Sequence, residues 1–171
     1  MGKDNNYRET GGMSYCRRFF SSGGAALRTV QTALCDSSLV RIATAYFEPT
    51  GWQCLKETLK GKEVRLLIGR PDNAEDKIAE VIDDFFSSLN TGTFEDRIMV
   101  MEELRDAIAA GQFLINVSGE DYNGTTLGPR YIYHHAKLYI GDSENAVVTS
   151  ANFTHHGLVS SREAGIIIRP R

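Results

Sequence analysis

The sequence predicts one α/β domain, and three observations carry that prediction. Apolar runs rich in β-branched residues recur at Leu39–Phe47, Val64–Ile68 and Ala164–Ile168. Segments between them place apolar residues at helical spacing. The first two runs are joined by a chain breaker and one helix, an order that gives neighbouring parallel strands with a right-handed crossover.

Size and charge set the bounds. A chain of 171 residues is one domain by length. Folding at that size buries about 70% of the unfolded chain's surface. Hydrophobic content of 42% and charged content of 24% are those of a globular protein. A net charge of −3 and a pI near 5.8 exclude a uniformly basic nucleic-acid coat but leave room for a local basic patch. Cys16, Cys35 and Cys54 fit neither a metal-ligand spacing nor a disulfide framework, so the expectation is reduced thiols and a cytoplasmic protein. No apolar run approaches the length of a membrane span, so no membrane partner is expected. Residues 1–13 are polar and Gly-rich, lack the apolar core of a secretory signal, and read as a disordered tail before a domain over 14–171.

Taken in order, Tyr15–Phe20 reads as a peripheral strand that packs Phe19 and Phe20, with a phosphate contact at Arg17 and Arg18 as the alternative. Ala25–Leu34 carries Ala26, Leu27, Val30, Ala33 and Leu34 on one helical face. Thr50 is placed to cap a helix running to about Lys60, with Trp52, Leu55 and Leu59 inward and Gly61 at its end. Arg41, Arg65 and Arg70 belong to strand rims, where solvent-facing arginine is commoner than a phosphate contact. Ile78, Val81, Ile82, Phe85 and Leu89 form an amphipathic stripe after a cap at Asp72-Asn73. The acidic residues around that stripe are a solvated face. A further helix spans about Phe94–Ala110, with Ile98, Met101, Leu104 and Ile108 expected inward and Gly111 ending it. Phe113–Ser118 is a strand. The polar loop Gly119–Pro129 is long enough to overhang its neighbour, with Tyr122 and Arg130 in reach of a ligand.

The chemistry concentrates in YHHAKLYIGDSENAVVTSANFT, Tyr133–Thr154. It reads as a strand over Tyr131–Ile140, a turn over Gly141–Asn145 and a second strand from Ala146. Alternation puts His135, Lys137 and Tyr139 on one face. His134, Ala136, Leu138 and Ile140 share the other, which is more apolar and is expected to be the core side. Ser150 and Asn152 lie two apart and share a face if the second strand stays extended. An imidazole, an ammonium and two hydrogen-bonding groups on one patch can handle an oxyanion.

His135-x-Lys137, four residues, Asp142, six residues, then Thr149-Ser150-x-Asn152 resembles the HKD signature of the phospholipase D superfamily, HxKxxxxD followed by GSxN. Glu163 fits the acidic residue that follows the Asn by about ten positions. Thr149 stands where Gly is usual, and Ser161 where Asn is common. The resemblance is close over residues 131–168 and looser elsewhere. It implies a phospholipase D-like α-β-α sandwich with a central mixed, mainly parallel sheet flanked by helices. Such single-motif modules occur as stand-alone nucleases and at the N-terminus of helicase-like proteins. The stop at Arg171, close after an apolar strand, raises the expectation of a longer protein with a C-terminal helicase or ATPase part. No GxxxxGK[ST] lies within these residues.

Phosphodiester cleavage needs an in-line nucleophile, charge on the non-bridging oxygens and a proton for the leaving oxygen. The resemblance implies His135 as nucleophile through a phospho-histidine, Lys137 as the cation, and Asn152 and Ser150 as neutral donors. Glu163 is expected to hydrogen-bond His135 and set its tautomer. Asp142, counted with the catalytic set as part of the motif, is expected to order local backbone. One histidine cannot be both nucleophile and leaving-group acid. The resemblance supplies the second from a homodimer with an isologous interface and one shared site. No metal or other cofactor is needed in that scheme. The expected partner is a nucleic-acid phosphodiester backbone, DNA or RNA. A lipid substrate is disfavoured, since lipid enzymes of the family carry two motifs in one chain.

Blander readings stand beside these. His134 on the apolar face is expected to be a satisfied core or edge imidazole. His155-His156 with His134 is a weak zinc set, because adjacent histidines point apart. Ser150, His135 and Glu163 imitate a hydrolase triad without its GxSxG elbow. The alternative function is a non-catalytic module that grips nucleic-acid phosphate or dimerises within a larger helicase-like or restriction protein.

Overall fold

The computed structural model describes residues 13–19, 24–69, 94–117, 134–143 and 145–170. Residues 1–12 of the expected tail, the Ile78–Leu89 stripe, the 119–129 loop with Tyr122, and Arg130 lie outside the described residues, whereas Met13 belongs to the first strand rather than to the tail.

Among the described residues seven strands form one sheet: β1 Met13–Phe19, β2 Leu39–Thr44, β3 Glu63–Ile68, β4 Phe113–Val117, β5 Leu138–Gly141, β6 Ala146–Thr149 and β7 Ala164–Pro170. Their order is β1-β7-β6-β5-β2-β3-β4. β2, β3 and β4 pair in parallel, as the strand–helix–strand order requires. The remaining pairs are antiparallel. The sheet is therefore mixed, but "mainly parallel" describes only the β2–β3–β4 half. A short turn joins β5 to β6, and such a turn can only return the chain antiparallel. β1 is the peripheral strand, with Phe19 opposite Ala164.

Among the described residues three α-helices accompany the sheet: α1 Ala25–Leu34, α2 Pro49–Leu59 and α3 Phe94–Ala109. Ala26, Val30, Ala33 and Leu34 of α1 are buried on the expected stripe. Glu48, not Thr50, holds the cap position of α2, because Pro49 is suited to the first helical turn and lacks an N–H to satisfy. Thr50 lies inside the helix and donates to the Glu48 carboxylate at 3.2 Å. Gly61 and Gly111 take positive φ at the ends of α2 and α3, where glycine carries little steric cost. The buried stripe of α3 runs through Val100 and Leu104, whereas Ile98 and Ile108 are 43% and 42% exposed. Those two expected core positions thus fall off the helix face that meets the sheet.

The helices pack on one sheet face through Val40, Ile42, Val64, Leu66, Phe113, Tyr139, Val147 and Ile167. Leu66 is almost fully buried, and trimming such a leucine to alanine costs about 2–5 kcal/mol. On β5 this reverses an expectation. Tyr139 and Lys137 lie on the buried side, while Leu138 and Ile140 are only half-buried. Tyr139 decides the matter. Its ring meets Phe153 edge-on at 6.2 Å and its hydroxyl donates to the Ala151 carbonyl at 3.2 Å. Among the described residues no helix is long and apolar enough to cross a membrane.

Candidate active site

One end of the sheet collects the reactive groups because of strand direction. β5 runs antiparallel to β2, so its start lies beside the end of β2, with Leu138 opposite Ala43. The end of β6 lies beside the start of β5, and Thr149 N–H donates to the Lys137 carbonyl at 3.1 Å. The start of β7 lies beside the end of β6, with Gly165 opposite Thr149. His135 and Lys137 before β5, Ser150 and Asn152 after β6, and Glu163 before β7 are thereby delivered to one edge.

Lys137 is 6% exposed, yet its ammonium reaches the rim. Its Nζ lies 2.7 Å from His135 Nδ1, 2.9 Å from Nε2 and 3.0 Å from the His135 carbonyl oxygen. Burial pushes the Lys137 pKa down, and the Glu163 carboxylate pulls it partly back up. The same two influences both push the Tyr139 phenol upward, burial first. His135 itself is exposed.

Ser150 Oγ hydrogen-bonds the Glu163 carboxylate. Ala164 N–H donates to Ser150 Oγ at 3.0 Å, and Ser150 N–H donates to the Ala164 carbonyl at 2.9 Å. Ser150 is thus held as the hinge between β6 and β7, and Glu163 is held by Ser150. Thr149, at the usual Gly position, turns its hydroxyl to the Ala164 carbonyl at 3.0 Å and receives the Ala151 N–H at 3.1 Å.

Asn152 is half-buried, with Oδ1 3.4 Å from Thr44 Oγ1. Its backbone is pinned by close packing. A Cβ at Gly157 would come within 2.7 Å of the Asn152 carbonyl oxygen. Phe153 forms a bridge with Phe47 and accepts the Glu48 N–H at 3.1 Å. Gly51 packs directly on the Phe153 carbonyl. The first turn of α2 therefore buttresses the loop that carries Asn152.

Asp142 stands apart. It lies at the far end of β5, about 17 Å along the strand from Lys137 at roughly 3.3 Å per residue. Its Oδ1 accepts the Ser38 N–H at 2.8 Å. Partial desolvation would raise its pKa, but backbone hydrogen bonds around Leu39 and Ser38, aided by the Arg41 charge, bring it below the usual value. Ordering of local backbone is what this geometry provides.

His134 departs from the expected satisfied imidazole, since both ring nitrogens are buried without a hydrogen-bond partner among the described residues. His155 and His156 are exposed. Among the described residues no three His, Cys, Asp or Glu side chains cluster as metal ligands. Thr44 is not singled out by sequence reasoning. Thr44 reads as one more β-branched strand residue, and nothing local marks its hydroxyl.

No family model matches the sequence, and no curated protein matches it. Solved structures do match in fold. Nuc from Salmonella typhimurium, a phospholipase D family member, is 19% identical, with a TM-score of 0.54 over 92% of this chain and 84% of that one. NucT from Helicobacter pylori is 14% identical, with a TM-score of 0.51 over 91% of this chain and 86% of that one. The phosphatidylserine synthase of Haemophilus influenzae Rd KW20 is 19% identical, with a TM-score of 0.55 over 92% of this chain but 34% of that one. The chain therefore has the fold of the phospholipase D family.

Proposed function

We propose that this chain is a metal-independent phosphodiesterase that cleaves nucleic acid through a phospho-histidine, at a site completed by a second copy of the chain. The observation that carries the reading is the pairing of Lys137 Nζ with the His135 ring at 2.7 Å, on the same sheet end as Asn152, Ser150 and Glu163. A ring nitrogen of His135 attacks phosphorus and forms the P–N bond as the P–O bond to the leaving group breaks. His135 of the second copy gives its proton to the leaving oxygen. It then takes a proton from the water that attacks phosphorus and cleaves the P–N bond. Lys137 offers its charge to the phosphoryl oxygens and Asn152 offers neutral N–H donors, both from a partly dehydrated edge where such contacts are strong. Glu163 keeps Lys137 charged and orients Ser150. Asp142 secures the β5 turn rather than the phosphate.

Hydrolysis of bis(4-nitrophenyl) phosphate and of plasmid DNA in excess EDTA tests this, with His135→Ala beside the parent. EDTA-resistant turnover that disappears in the variant is expected. Equal turnover in both would remove His135 from the mechanism. Inactivity of both, with salt-dependent DNA binding retained, would leave a module that only grips phosphate.

A further inference from the structure

We propose that Thr44 is a positioning residue that sets the orientation of the Asn152 amide toward a bound phosphoryl group. The inference rests on the reading of Asn152 as a donor to phosphoryl oxygen. Thr44 ends β2 and is fully buried, so its hydroxyl is costly unless satisfied. Three polar groups surround Oγ1. The Phe153 N–H donates to it at 3.0 Å, and the carbonyl oxygens of Tyr46 and of the Asn152 amide lie at 2.7 and 3.4 Å. A hydroxyl has one proton and can share it between those two acceptors. While Oδ1 faces that proton, Nδ2 faces away. It has no partner among the described residues and is free to donate to an anionic oxygen. Turned over, the amide would direct its carbonyl oxygen at the phosphate, and two negative groups would repel. The same hydroxyl receives the N–H of the residue after Asn152, so a single atom fixes both the amide and the backbone that carries it. Valine at position 44 has nearly the same shape and neither a donor nor an acceptor. Serine keeps both.

A double-mutant cycle measures the coupling. Thr44→Val, Asn152→Ala and the double variant are compared with the parent for kcat and KM on bis(4-nitrophenyl) phosphate. Affinity for inorganic phosphate is measured in parallel, which needs no turnover. All assays run below the unfolding temperature determined for each variant. Thr44→Val is expected to lower kcat about tenfold or more, a part of the loss typical for a removed oxyanion donor. Thr44→Ser should stay within about twofold of the parent. In the Asn152→Ala background, Thr44→Val should change kcat and phosphate affinity no further. Equal losses in both backgrounds, a parent-like Thr44→Val, or a Thr44→Ser as poor as the valine variant would each overturn the inference. If Thr44→Val does not fold, Thr44→Ala serves in the same cycle with the same expectations. Failure of the underlying reading looks different. It shows as His135→Ala with parental turnover, or as a parent that neither hydrolyses the ester nor binds phosphate, and the inference then falls with it.

Discussion

Lys137 Nζ lies 2.7 Å from His135 Nδ1, so a buried cation and an exposed imidazole two residues apart form one unit. The stem of Lys137 is in the core and its head is at the rim. Its charge carries a desolvation cost that function must justify.

Lys137→Met should therefore separate activity from stability. On the proposed mechanism, loss of this cation is expected to lower kcat about 10²–10³-fold. At neutral pH the methionine variant should unfold at a higher temperature, because no partly desolvated ammonium remains at the sheet edge. The folded-state pKa of Lys137 lies below its ordinary 10.5. Parental stability should thus rise with pH between the lowered value and 10.5, where the unfolded chain binds more protons. The advantage of the variant should vanish above that window. Thermal melts from pH 7 to 11 measure it, and a constant difference across the range would contradict the assignment.

Glu163 raises the Lys137 pKa against burial. Glu163→Gln removes that support, so Lys137 should lose its proton at lower pH. The alkaline limb of the kcat–pH profile is expected to move to lower pH. An unmoved limb alongside a uniformly lower rate would assign Glu163 only to holding Ser150.

Gly51 packs on the Phe153 carbonyl, next to Asn152. Gly51→Ala must displace backbone there, at a cost of about 1–3 kcal/mol typical of overpacking. Chemical denaturation should show the loss. Turnover should fall with it, even though Gly51 lies on α2 and touches no reacting atom.

Asp142 holds the Ser38 N–H at the opposite sheet end, with its pKa below the ordinary 3.8. Its contribution is present above 3.8 and is lost as pH falls through the lowered folded-state value. Asp142→Asn should be less stable than the parent at pH 7, and the two should converge under strong acid. Melts at pH 2 to 7 test this. A gap of constant size would mean that the charge plays no part.

Much of this molecule is legible along the chain. The α1 stripe, the parallel β2–β3 pair and the glycine ends of α2 and α3 are local matters, set by side-chain period and backbone freedom over a few residues. The spacing from His135 to Asn152 likewise places those groups on two strands joined by a turn. The far separation of Asp142 follows from the same strand, since five extended residues cannot fold back on themselves.

Tertiary structure decided what alternation cannot state. A period of two tells which β5 residues share a face, but not which face the helices cover, and the more apolar side of β5 was not the buried one. Lys137 is buried on the same side of the strand as Tyr139 while its ammonium meets the His135 ring, an arrangement that a hydropathy pattern scores as polar. Whether Ile98 and Ile108 on α3 meet the sheet depended on the angle at which that helix lies. The contacts of Ser150, Glu163 and Thr44 are made between segments far apart in the chain. Thr44 is 108 residues from Asn152 in the chain, and only the sheet brings its hydroxyl to the amide.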